Sequence, residues 1–293
     1  MDTFGRAGRK IEFVAVGHLA VDRRNGHRSL GGSAAYGSLT ASRLGLSTAM
    51  VTAVGEDFDF FDPLEGIETH FHRSGASTSF ENIYQGEIRR QRLHGLASPL
   101  VEEDLAVLEG RLAEDAVVLF CPIAKEVQAP FGRLVEQGLS GVAPQGFFRS
   151  WDDQGAIHPA PWEDAPRRLA EADFVSLSVS DVPDPDRLVR RLAGRVPVFA
   201  LTESEEGARI YADGRMVHVP AFRRDPRDPT GAGDVFAASF LVALRASRDP
   251  LEAARFACCA ASFAVERDGI GGVPPDRSAV EERLARYREQ YGL

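Results

Sequence analysis

Short apolar runs alternate with helix-forming stretches along much of this chain. Residues 11–16 read as a buried strand, 33–44 as a helix and 48–54 as another strand, the alternation that builds a parallel sheet covered on both faces. The pattern resumes with strands expected at 116–120, 140–143, 174–177 and 196–201 and helices at 125–137, 162–171 and 185–192. The last third differs: a hairpin, 208–212 and 215–219 turning at Asp213-Gly214, precedes helices over 233–246, 251–267 and 276–291. No internal repeat or low-complexity linker breaks the chain, and residues 1–293 are expected to form one α/β domain.

Two polar segments stand outside the alternation. Residues 21–30 carry Asn25-Gly26, the strongest two-residue hairpin signal. Residues 77–94 read as a longer hairpin about Gln85-Gly86, and a two-residue turn there sets Glu81 opposite Arg90. Such a pair is worth about 0.2–1 kcal/mol. Thr78, Phe80, Asn82, Tyr84, Arg89 and Gln91 then share one face. The hairpins either remain surface meanders or pair into a small β platform or lid over 20–31 and 77–95.

At 293 residues, with 44% hydrophobic and 26% charged, the composition is that of an ordinary globular protein. A formal net charge of −9 argues against nucleic acid or an anionic membrane as the main partner. The basic residues are nearly all Arg, and neither Lys10 nor Lys125 lies in a Walker-type loop. Cys121, Cys258 and Cys259 give neither a paired framework nor a metal spacing, which suits a reduced cytoplasm. No apolar run reaches membrane-spanning length, and residues 1–10 hold no apolar signal core.

The most informative stretch is Asp228-Pro229-Thr230-Gly231-Ala232-Gly233-Asp234, which feeds the apolar run 235–244. A tight glycine turn opening a helix aims unpaired backbone N–H groups at one point, where the helix dipole favours an anion. Asp234 stands at the mouth of that site as a helix cap or as a reactive carboxylate. A dinucleotide fingerprint is excluded, because Phe236 occupies the third glycine position and the polar loop 223–230 replaces the strand that should lead in.

These residues resemble the ribokinase-like, or PfkB-type, carbohydrate kinases over most of the chain, from Val16 to about Pro274. The stretch just quoted is similar to the family's carboxy-terminal signature, Asp-Thr-x-Gly-Ala-Gly-Asp. Gly31-Gly32-Ser33-Ala34-Ala35-Tyr36 resembles its Gly-Gly-x-x-x-Asn, with Tyr36 where Asn is common. Asp22 matches the early substrate-binding aspartate. Thr202-Glu203-Ser204-Glu205-Glu206-Gly207 resembles the Thr-x-Gly-x-x-Gly phosphate loop, with Ser204 for the first Gly. Ser178-Val179-Ser180-Asp181 stands where the family has Asn-x-x-Glu, and spacing alone fits a turn or cap there equally well. Gln145-Gly146-Phe147-Phe148-Arg149 stands where relatives reach substrate, with Arg149 reaching substrate or forming an ion pair. Cys258 matches a position beside the adenine, or simply packs.

The resemblance implies a three-layer fold, a mostly parallel central sheet flanked by helices, plus a small β lid. It implies transfer of the γ-phosphoryl group of ATP to a sugar or polyol hydroxyl, with Asp234 as base and Gly231, Ala232 and Gly233 forming the anion hole. Asp22, Gly32, Ser33, Asn82, Gln91 and Arg149 would bind the acceptor. Ser178, Thr202, Ser204, Gly207 and Cys258 would bind the donor, Asp181 would support Mg2+ indirectly, and Asp228 would seat a monovalent cation such as K+. Relatives often pair as homodimers through the lid. The segments 80–84 and 145–147 look most like the branch near inositol kinases. A nucleoside acceptor, with Tyr36, Phe80 or Tyr84 stacking on a base, and a lapsed sugar- or nucleotide-binding regulator remain as alternatives.

Overall fold

Strands and helices alternate through a computed structural model that describes residues 9–85, 88–192 and 194–293. The first third holds β1 (Ile11–Val16), β2 (Ala20–Arg24), β3 (His27–Gly31), α1 (Ser33–Arg43), β4 (Thr48–Val54), β5 (Glu68–Arg73), β6 (Thr78–Gln85) and β7 (Ile88–Gly95). The middle holds β8 (Leu112–Phe120), β9 (Leu139–Val142), β10 (Arg149–Trp151), β11 (Ile157–Pro159), α2 (Ala165–Leu169), β12 (Phe174–Ser178) and α3 (Pro185–Leu192). β13 (Val198–Thr202), β14 (Ala208–Ala212), β15 (Arg215–Val219), α4 (Ala232–Ser247), α5 (Pro250–Ala264) and α6 (Arg277–Tyr291) complete the described elements.

The large sheet has nine strands in the order β15-β14-β13-β12-β9-β8-β1-β4-β5. It is parallel from β5 to β13 and ends in the antiparallel β14–β15 hairpin. Alternate residues of its central strands enter two apolar layers. Phe13, Ala15, Val117 and Leu119 join buried residues of α1, α4 and α5, while Val14, Val16, Val118 and Phe120 join Phe131, Leu169 and Leu188. Burial on both faces explains why these strands read as continuous apolar runs. Helix α4 is pinned to the sheet by the stacked Phe174 and Phe240 rings, 4.1 Å apart and 4° from parallel.

The two polar hairpins pair with each other. β2 and β6 run parallel, giving a four-stranded sheet in the order β3-β2-β6-β7. The β2–β3 turn is the expected one, with Asn25 and Gly26 at φ 49° and 78°. In the second hairpin Gln85 pairs with Ile88, so Glu81 faces Arg92 and Ile83 faces Arg90. This corrects the expected Glu81–Arg90 pairing, and Glu81 instead bonds His94 at 3.0 Å. A shift of two in the pairing preserves parity, so Phe80, Asn82 and Gln91 keep the expected common face. The Gln85-Gly86 turn itself falls partly outside the described residues.

Residues 125–137, expected as a helix, are irregular. Pro130 supplies no N–H, and the segment is held by other means: Gln128 N–H donates to Leu100 O at 2.8 Å and Val127 bridges Leu100. Of residues 162–171 only five are helical, Ala165–Leu169, and Trp162 stacks on Phe147 at 4.3 Å. No helix among the described residues is long and apolar enough to cross a membrane.

Candidate active site

Helix α4 begins at Gly231, which is left-handed at φ 82°. A Cβ there would lie 2.2 Å from Tyr36 Cε1, so only glycine fits both the backbone and the buried Tyr36 ring beneath it. Tyr36 thus serves as an aromatic prop for the turn. No side chain caps the helix. Ala232 N–H donates to Pro229 O at 3.3 Å, so it is already engaged. The N–H groups of Gly233 and Asp234 meet no acceptor among the described residues, leaving two of the three expected donors open.

Asp234 sits in the first turn of α4, with the Ser33 hydroxyl close enough to draw its pKa down. Burial, reinforced by the nearby carboxylates Asp181 and Asp22, raises its pKa from 3.8 to about 6 against the opposing pull of Ser33 and Arg149. A carboxylate raised in this way can take up a proton near neutral pH, which a general base requires and a helix cap does not.

The glycine pair before α1 brings the acceptor side to this point. A Cβ at Gly32, whose φ is 95°, would lie 2.5 Å from His18 O, so the turn after β1 packs directly on it and leaves no room for a side chain. A Cβ at Gly31 would lie 2.2 Å from Asp22 Oδ2, which places the Asp22 carboxylate over the glycine pair. From the small sheet, Gln91 Nε2 donates to Asn82 Oδ1 at 3.0 Å, and Arg149 donates to Gln91 Oε1 at 3.2 Å and to Ile123 O at 3.1 Å. The Arg149 charge in turn lowers the pKa values of Asp181 and Asp234. The structure therefore brings Asp22, Ser33, Asn82, Gln91, Arg149, Asp181 and Asp234 into one linked polar group.

Donor-side candidates lie at the carboxyl ends of neighbouring parallel strands, where open α/β sheets bind ligands. Ser178 ends β12 opposite Thr202, which ends β13 and donates to Leu177 O at 3.3 Å. Ser178 N–H donates to Asp181 Oδ2 at 2.9 Å, and Gln145 donates to Asp181 Oδ1. Burial raises the Asp181 pKa. Ser204 keeps a left-handed φ of 54°, and Gly207 closes the loop at φ 106°. Cys258 is buried in the apolar cluster that also holds Tyr287, and burial pushes its thiol pKa up.

Asp228 is buried, accepts from Thr230 N–H at 3.0 Å and faces Arg24 at 3.9 Å, so a guanidinium already approaches it where a monovalent cation was expected. No three His, Cys, Asp or Glu side chains among the described residues gather as metal ligands. A separate cavity of roughly 340 Å³, lined by Thr69, His70, His72, Glu103 and Asp104, lies along β5 and includes none of the candidates. Sequence reasoning missed Glu126, a buried carboxylate beside this group that accepts from Ile123 N–H at 2.9 Å. Its signal was one acid inside a largely apolar stretch, masked by the helical reading of 125–137.

Residues 169–277 match the pfkB family carbohydrate kinase model. The chain is 26% identical over 276 residues to a ribokinase of Bacillus subtilis, covering 87% of each chain. It is 29% identical over 308 residues to an inositol 3-kinase of Zea mays, covering 95% of this chain and 79% of that one. A pyrophosphate-dependent kinase in the ribokinase family, solved with a pyrophosphate analog and myo-inositol, shares the fold at a TM-score of 0.74 and 24% identity, over 92% of this chain and 99% of its own.

Proposed function

We propose, from the place of this chain among the ribokinase-like carbohydrate kinases, that it moves the terminal phosphoryl group of ATP to a hydroxyl of a small sugar or polyol. One observation carries this reading: a carboxylate with a pKa near 6 stands in the first turn of a helix whose Gly233 and Asp234 N–H groups remain open. Asp234 takes the acceptor's hydroxyl proton as that oxygen bonds to the terminal phosphorus. The bond from phosphorus to the bridging oxygen breaks, and ADP leaves. The open N–H groups and Arg149 offset charge on the transferred group, and each such donor is worth about 2.7–4 kcal/mol by analogy with oxyanion holes.

Asp181 and Asp234 repel one another, so the donor side suits a divalent cation arriving on the phosphates, which Asp181 would help to hold. Magnesium would supply charge neutralisation between the phosphate oxygens. The small sheet carries Asp22, Asn82 and Gln91 to the acceptor and would act as its lid.

A polyol fits this lining better than a nucleoside. The Tyr36 ring is buried beneath Gly231, and Phe80 is buried with Arg149 about 5.9 Å above it, so neither offers an open face to a base. The pyrophosphate-dependent kinase that shares this fold makes pyrophosphate the second donor to test. Tyr291 of α6 donates to Ala221 O at 3.2 Å, and Arg227 and Asp228 N–H both donate to Val265 O, fastening the strip before α4 over the end of α5.

The test is product release from magnesium-ATP and from magnesium-pyrophosphate across polyols, sugars and nucleosides, with Asp234→Asn beside the wild type. Turnover with a polyol or sugar that is lost in the variant is the expected result. Binding without turnover would assign the chain to the lapsed regulators, and a nucleoside preference would overturn the acceptor class.

A further inference from the structure

Beneath the acceptor end lies a buried polar hub that the reaction as described does not use. Glu126 is 2% exposed, and among the described residues three backbone N–H groups, rather than a Lys or Arg, hold its carboxylate. His18 N–H donates to Oε1 at 3.1 Å, Ile123 N–H to Oε1 and Oε2 at 2.9 and 3.0 Å, and Ala124 N–H to Oε2 at 2.7 Å. Lys125 adopts φ 64°, which folds the chain back so that the carboxylate can reach the amides before it. Beside it, His18 is fully buried, with Nε2 on Ser98 O at 2.9 Å and Nδ1 on the Thr78 hydroxyl at 2.7 Å. Since a carbonyl only accepts, Nε2 carries a hydrogen toward Ser98 O, and the Thr78 hydroxyl partners Nδ1.

Each arm of the hub ends on a candidate acceptor group. Ile123, gripped through its N–H, presents the carbonyl that holds Arg149 at 3.1 Å. The His18 turn carries the carbonyl against which Gly32 packs, and Thr78 is the root of β6, the strand bearing Asn82. A buried carboxylate justifies its desolvation only where its hydrogen bonds are complete, and removing its charge would leave these three amides without a matched acceptor.

We infer that Glu126 is a positioning residue for the acceptor end of the site, locking Arg149 through Ile123 and the Gly32 turn through His18. This rests on the kinase reading above. Glu126→Gln keeps the shape but sets an amide NH2 against N–H donors. It should raise the acceptor KM about tenfold, in line with the steep dependence of catalysis on placement. The donor KM and the acidic limb of the pH profile should not move. Combined with Arg149→Met, the two losses should be less than additive, because one acts through the other.

Unchanged acceptor KM in folded Glu126→Gln protein, or additive losses, would overturn the inference. A purely structural role would lower only the melting temperature. Hydrogen exchange on the wild type needs neither variant nor activity: the Ile123 and Ala124 amides should be protected like strand amides, and exchange at loop rates would refute the hub. Wild type that turns over no acceptor, but protects these amides, would refute the kinase reading and leave the hub standing.

Discussion

Asp234 couples stability to chemistry. Its folded pKa of about 6 lies above the ordinary 3.8, so between those values the folded chain binds a proton that the unfolded chain has released. Stability therefore falls as pH rises through that window. Asp234→Asn should raise the melting temperature at pH 7–8 by the equivalent of on the order of 1–2 kcal/mol and give no gain below pH 4. Turnover should fall at least about 10²-fold, and wild-type activity should decline as pH drops through about 6, where the base protonates. Thermal melts and rate profiles over the same pH range check both limbs, and equal melting curves at pH 8 would show that the carboxyl is not strained by burial. Gly231 is the second residue of consequence. Gly231→Ala meets both a left-handed φ and the Tyr36 ring, so it should destabilise the fold by about 1–3 kcal/mol and abolish turnover, because the ring or the turn must move. Retention of full activity would mean that the turn does not set the open amides.

At the scale of elements, what the sequence made legible depended on local signals. β12, α3 and the β14–β15 hairpin emerge from short apolar or amphipathic runs bounded by turn residues, and α4 from a glycine turn before an apolar run. Of the candidate site residues, Gly32, Ser33, Gly231 and Asp234 lie on such turns. Glu126 was not, because its role comes from amides of His18, distant in sequence, and from Ile123 and Ala124 in a loop without periodicity. The hairpin register missed by two because pairing depends on where the turn lies, whereas face parity survived. The β2–β3 turn shows how local a signal can be. Asn25 at φ 49° tolerates a conformation that a β-branched residue resists, so Asn25→Val should cost about 1–2 kcal/mol, confined to the small sheet. Exchange protection at Asp22 and Ser29 should fall and the acceptor KM rise, with protection in β1 and β8 unchanged. Loss of protection throughout would show that the two sheets unfold as one.

For the whole molecule, the chain carries a net charge of −9, but the small sheet concentrates basic residues on the face opposite the acceptor groups. Arg23 lies directly opposite Arg28, and Arg90 and Arg92 extend the same side across β7. Asp59, paired with Arg28 at 3.2 Å, and Glu81, bonded to His94, offset part of this charge. The outer strand β7 is also occupied near its end, where Leu93 N–H donates to Gly155 O at 2.8 Å and Arg92 bridges Ala156. A two-fold pairing of small sheets through that face would set like charges together, since an isologous contact opposes each patch to its own copy. Desolvating Arg23, Arg90 and Arg92 against their own copies would cost more than the limited apolar surface at Ile83 could return. The chain should therefore sediment as a monomer at low ionic strength, and any self-association should strengthen as salt screens the arginines. A dimer that persists at low salt and dissociates when salt is raised would require an attractive charge pattern across the contact, and would place the interface on another surface.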